Sequence, residues 1–270
     1  MSRRRLAALL RKEWAEVVRN RTLVSTYALV AVVLLALPLV LAFAVVDLVA
    51  ADLEAQRGDE ELLRLLARQL PAVLDLPGRE QVQVLLLRQM VPLYLILPVL
   101  GAMSIATYSV VGEKTSRSLE PLLATPLTTG ELLFGKSLAA AVPSVAGAWL
   151  TFGLFAGAVR VLGGPRVAAF AIDGAAWLAI LLIGPLLALL AIGAGVLISA
   201  RAKDPRNAQQ VGSLLLLPVI ALVAVQAAGA VLLDASWVLA GAAVLAALGA
   251  LFFRWGVRLF DRERIFTDWR

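Results

Sequence analysis

Residues Gly130–Ser137 read GELLFGKS, which matches the phosphate-loop pattern G-x-x-x-x-G-K-[ST] letter for letter. In a working phosphate loop, free backbone N–H groups cradle the phosphates and the lysine reaches them. Such a loop follows a buried strand in a soluble sheet. Here Leu132, Leu133 and Phe134 fill the variable positions, and a long apolar run follows. No strand pattern precedes the match, and no acidic magnesium motif on a strand is visible. The match is read as false, and ATP chemistry is expected to come from a partner. Composition bounds the rest. The chain has no Cys and no His. Thiol chemistry, thiolate metal sites, His acid–base catalysis and His ligation are therefore excluded. No catalytic residue and no metal ligand is expected.

The false match ends a longer segment, Glu113–Lys136, reading EKTSRSLEPLLATPLTTGELLFGK. It is polar and amphipathic and lies between two long apolar runs. A membrane protein holds such a segment outside the bilayer, where it can touch a partner.

The elements that position it follow from hydropathy. The 270 residues are 61% hydrophobic with mean hydropathy +0.87, against roughly 45–50% apolar residues in a soluble domain. The charges cluster between apolar runs. A bilayer core of about 30 Å needs roughly 20 helical residues. Six spans are expected, at Val24–Val46, Met90–Gly112, Ser137–Leu162, Ala175–Ser199, Val211–Leu233 and Trp237–Phe253. The fold class is all-α and polytopic, with residues 1–270 forming a single transmembrane domain.

Orientation follows from basic residues. The two termini and the loops at 112–136 and 200–207 hold 18 Lys and Arg, against 7 on the other side. Both termini and Glu113–Lys136 are therefore expected in the cytoplasm. The net charge of +6 serves this orientation, and no nucleic-acid partner is expected.

Residues 1–22 form a cytoplasmic amphipathic segment. The run before Ala42-Phe43-Ala44 is too long for a cleaved signal peptide. Leu6, Leu9, Leu10, Trp14, Val17 and Val18 make a helical stripe with basic residues opposite. This reads either as a helix in the membrane interface or as a solvated anchor that only sets topology. The external loop is 47–89, where Leu62, Leu63, Leu65, Leu66 and Leu70 suggest a short amphipathic helix in a small cap.

No Asp, Glu, Lys or Arg sits mid-span, which argues against a proton-driven carrier or a charged channel filter. The interior polar residues are chiefly Thr107, Tyr108, Ser144, Thr151, Ser213 and Gln226. Thr107, Tyr108 and Gln226 are candidates for a substrate path. For Gln226 the competing role is glue between helices. Gly153 and Gly157 make a small-xxx-small pair, and Pro98, Pro143, Pro185 and Pro218 can kink four spans.

Several of these motifs resemble the signature of ABC type-2 transporter permeases, the membrane subunits of ATP-binding-cassette exporters. They are Glu113-Lys114, Ser118-Leu119-Glu120, Leu122-Leu123-Ala124-Thr125-Pro126 and Glu131…Gly135-Lys136. Arg11-Lys12-Glu13, next to Trp14, resembles the family's cytoplasmic start. Ser199–Asp204 with Ala208-Gln209-Gln210 resembles its loop before the fifth span. The chain departs from the pattern at Arg117-Ser118, where the family has Gly-Thr, and at Pro121. The resemblance implies a permease dimer, with a second copy or a related chain, in the plasma membrane. It also implies an ABC ATPase subunit that binds the ATP and magnesium, so the chain itself needs no cofactor. Glu113–Lys136 would carry the coupling helix. Leu119, Leu122 and Leu123 would enter a groove of the ATPase, and Glu113, Lys114, Glu120 and Glu131 would fix register. Leu6–Arg21, an interfacial helix marked by Arg11, Lys12, Glu13 and Trp14, would form a second contact with the ATPase. Uncharged spans suggest a lipophilic or amphipathic substrate. The alternatives are a non-transport component coupled to an ATPase and an ATPase-independent carrier or scaffold.

Overall fold

The computed structural model describes residues 3–46, 71–115, 129–201, 205–227 and 235–259. Among these every regular element is helical, as the composition requires. Backbone polar groups in hydrocarbon must be satisfied within the segment, and a helix does this.

Five of the described helices are long and apolar enough to cross a membrane. They are Arg21–Val45, Gly78–Tyr108, Phe134–Ala171, Gly174–Ile198 and Ala235–Phe252, here the first, second, third, fourth and last spans. The expected fifth span is described only in part. Helix Pro205–Gly212, a 3₁₀ turn at Ser213–Leu216 and helix Leu217–Ala227 form it, with an apolar stretch at Gln210–Gln226. Residues 228–234 lie outside the described residues, so the described chain carries this penultimate helix short of a full span.

The second and fourth spans form the centre, 72% and 67% buried, while the first and last are 17% and 11% buried. The second packs against the third and fourth, and the last packs mainly on the fourth. Tyr94, Phe152, Phe155 and Trp177 make the aromatic heart. The Tyr94 and Phe152 rings meet edge-on at 5.3 Å, and Phe152 and Trp177 at 5.0 Å.

Several helices begin earlier than hydropathy indicates. The second starts at Gly78 rather than Met90. Val82, Gln83, Val84 and Leu87 bury one side of this extension against the molecule, so packing carries the helix into what reads as the external loop. The third starts at Thr129 and runs to Ala171, broken at Gly164 with φ 79° and ψ 174°. Only glycine takes that conformation without steric cost, and Pro165 then opens the next turn. The first span starts at Arg21 because Asn20 caps it, its side-chain oxygen accepting the Leu23 N–H at 3.1 Å. Asp173 does the same for the fourth span, accepting the Ala176 N–H at 2.9 Å.

The expected small-xxx-small contact differs. A Cβ at Gly153 or Gly157 would meet nothing within 4 Å. The close approach instead uses Gly101 and Gly147. A Cβ at Gly101 would stand 2.7 Å from both Ser144 Oγ and a Tyr27 ring carbon, and one at Gly147 2.7 Å from Tyr27 Oη. Tyr27 of the first span fills the space that these glycines leave, and its hydroxyl donates to the Ser144 carbonyl at 2.8 Å.

Candidate functional site

The N-terminal helix, Arg3–Arg19, lies against the start of the third-span helix. Leu9 and Glu13, one helical turn apart, are its buried positions, while Trp14 is 38% exposed and Val18 74% exposed. The inward edge therefore runs through a carboxylate rather than along the whole apolar stripe. The reason is Lys136. Its Nζ donates to Glu13 Oε1 at 2.9 Å, with both side chains buried. Lys12 Nζ stands 3.8 Å from the same oxygen. Leu9 packs over Gly135, where a Cβ would collide with its side chain. The Trp14 indole N–H donates to the Ala139 carbonyl at 3.0 Å. Three successive contacts thus clamp the N-terminal helix to the first turns of the third-span helix.

The residues of the phosphate-loop match lie within this contact. Gly130–Ser137 is helical, Gly135 receives Leu9, and Lys136 is engaged by Glu13. Glu131 occupies the first turn of that helix, where a negative charge favours the helix dipole.

Of the remaining sequence-derived positions, Leu119, Glu120, Leu122, Leu123, Thr125 and Pro126 lie outside the described residues. Glu113 and Lys114 stand in the last turn of helix Ile96–Thr115. Arg11 and Lys12 are on the exposed side of the N-terminal helix.

The three substrate-path candidates are dispersed. Thr107 is fully buried, and its hydroxyl donates to the Met103 carbonyl at 2.9 Å, within its own helix. Ser144, Thr151 and Ser213 likewise return their hydroxyls to their own helices, a local use that leaves little to offer a solute. Tyr108 lines two adjoining clefts near the N-terminal helix. One, of about 60 Å³, lies between the first and second spans beside Thr26, Tyr27 and Ser104. The other, of about 150 Å³, is bordered by Glu13, Glu16 and Asn20.

Gln226 sits elsewhere, bound to the second span. Its Nε2 donates to the Arg88 carbonyl at 3.3 Å, and its Oε1 finds no partner among the described residues. Arg88 is the polar residue that sequence reasoning missed. Its Nη2 pairs with Asp173 Oδ2 at 2.7 Å, and its Nη1 donates to the Phe170 carbonyl at 3.0 Å. It ties the second-span helix to the end of the third and the start of the fourth. The available signal was an arginine two residues before an apolar run, and loop assignment concealed it.

The family model described as ABC-2 family transporter protein matches residues 7–236. The match runs from the N-terminal helix to the beginning of the last span. No curated protein matches the chain.

Proposed function

The chain belongs to the ABC-2 family of transporter proteins, and from that premise we propose that it is an exporter permease driven by a separate ATPase subunit. It is a multi-pass membrane component of an ABC transporter. In the proposed assembly two permease chains and two ATPases meet in the plasma membrane, with both termini in the cytoplasm. ATP and magnesium bind the ATPase. Residues 113–136 carry the coupling helix, with Leu119, Leu122 and Leu123 as its apolar triplet, spaced for a groove.

The observation that supports this reading best is the clamp at Glu13, Lys136, Trp14 and Ala139. The third-span helix continues directly from the proposed coupling segment. A push on that segment enters the helix at Thr129, and the N-terminal helix is attached within its first turns. The two elements proposed to face the ATPase therefore act on one lever. Mid-span segments without charge favour a lipophilic or amphipathic substrate.

The test is a mild-detergent pull-down of the tagged chain from native membranes, with ATP hydrolysis measured in the eluate. A vanadate-sensitive ATPase is expected to co-purify, and to be lost in the Leu122→Asp/Leu123→Asp double variant while the permease stays inserted. A chain that elutes alone, in conditions where a control transporter keeps its ATPase, would make the coupling assignment wrong.

A further inference from the structure

Proline has no N–H, so inside a helix it releases the carbonyl four residues earlier. Seven prolines lie within the span helices; Pro165 opens the turn after the break at Gly164, and the others are Pro38, Pro92, Pro98, Pro143, Pro185 and Pro218. Two are absorbed locally. The Tyr94 carbonyl released by Pro98 takes the Ile96 N–H two residues on, and the Leu214 carbonyl released by Pro218 takes the Leu217 N–H in a 3₁₀ turn.

Three others are met by a side chain of another helix. Pro38 releases Leu34, whose carbonyl accepts from Tyr94 Oη at 2.7 Å. Pro92 releases Arg88, whose carbonyl accepts from Gln226 Nε2 at 3.3 Å, alongside the Val91 N–H. Pro143 releases Ala139, which accepts from Trp14 Nε1 at 3.0 Å. At Pro185 the register differs: the carbonyl four residues back is Leu181, while the neighbouring Ile180 carbonyl, in the π turn at Ala179–Ile183, accepts the Trp149 indole N–H at 3.2 Å.

In these three cases the donor comes from another helix. The pairs join the N-terminal helix to the third span, the first to the second, and the penultimate helix to the second. We infer that Trp14, Tyr94 and Gln226 are positioning residues matched to individual prolines, latching the kinked helices into one body. A released carbonyl in an apolar interior strongly seeks a donor. A side chain that supplies one fixes both the register of the two helices and the bend. The proposal concerns the chain's own packing and stands apart from the transport reading.

The test is a double-mutant cycle on the purified full chain, read as the thermal unfolding midpoint in detergent. Trp14→Phe removes the indole N–H and keeps an aromatic ring. It is expected to lower the midpoint by about 2–4 °C, the scale of one hydrogen bond in a protein of this size. Pro143→Ala restores a backbone donor for Ala139, so in that background Trp14→Phe is expected to cost less than half as much. Register supplies the specificity control. The cost of Tyr94→Phe is expected to shrink with Pro38→Ala and to persist with Pro98→Ala. Equal costs in proline and alanine backgrounds would overturn the inference and reduce the aromatic donors to packing. The Tyr94 and Pro38 cycle gives the same reading at a separate site, so failure of one variant to fold leaves the comparison standing.

Discussion

Lys136 Nζ lies 2.9 Å from Glu13 Oε1 with side chains only 8% and 3% exposed, joining two elements 123 residues apart in sequence. Removing one partner of a buried pair leaves the other charge desolvated, at a cost of about 3–5 kcal/mol. The two removals are unequal here. Lys136→Met leaves Glu13 with Lys12 at 3.8 Å, whereas Glu13→Gln takes the buried carboxylate from Lys136 and leaves Lys12 with Glu16 at 3.6 Å. Thermal unfolding in detergent is expected to rank Glu13→Gln as the more damaging. The double variant Glu13→Leu/Lys136→Met is expected to recover much of the loss. Equal damage from both single changes would speak against Lys12 as a second partner.

The same pair has a functional consequence if the N-terminal helix loads the third span. Lys136→Met lies outside the proposed apolar triplet, so the ATPase is expected to remain bound. The stimulation of ATP hydrolysis by substrate is expected to fall severalfold. Full stimulation in a chain that retains its ATPase would remove the N-terminal helix from the transmission path.

Glycines in the third span separate by what they face. Gly147→Ala forces a methyl against Tyr27, 2.7 Å from its Oη, and overpacking of this kind costs about 1–3 kcal/mol. Gly153→Ala meets nothing within 4 Å and is expected to be neutral or to stabilise by up to about 1 kcal/mol through helix propensity. Paired unfolding curves check both, and a Gly147→Ala protein as stable as the parent would contradict the Tyr27 packing.

Asp173 does two things that substitution can divide. It caps the fourth-span helix at the Ala176 N–H and pairs with Arg88 at 2.7 Å. Asn retains the cap and loses the charge, while Ala loses both. The difference between Asp173→Ala and Asp173→Asn is expected to be about 1 kcal/mol, the worth of an N-cap. Near-identical stability of the two variants would place the whole effect in the ion pair.

By itself the sequence determined the class and the family. Apolar runs about 20 residues long admit little besides membrane helices, because hydrocarbon leaves no other way to satisfy the backbone. The segment proposed for coupling reads as polar residues between two apolar runs. Asn20 and Asp173 cap the first and fourth spans, whereas hydropathy alone set the expected boundaries a few residues late. Hydropathy could not find the helical extension from Gly78, since burial of one face against the molecule, not transfer into lipid, makes it helical. Nor could it choose among glycines. Gly153 and Gly157 have the motif spacing, yet Gly101 and Gly147 receive Tyr27. Partner choice was likewise decided by the tertiary structure. Glu13 with Lys136, Arg88 with Asp173, and each indole, phenol or amide with the carbonyl it meets are separated by tens of residues or more. A residue's type says that it needs a partner, and only the packing of helices says which group stands within 3 Å or so of it.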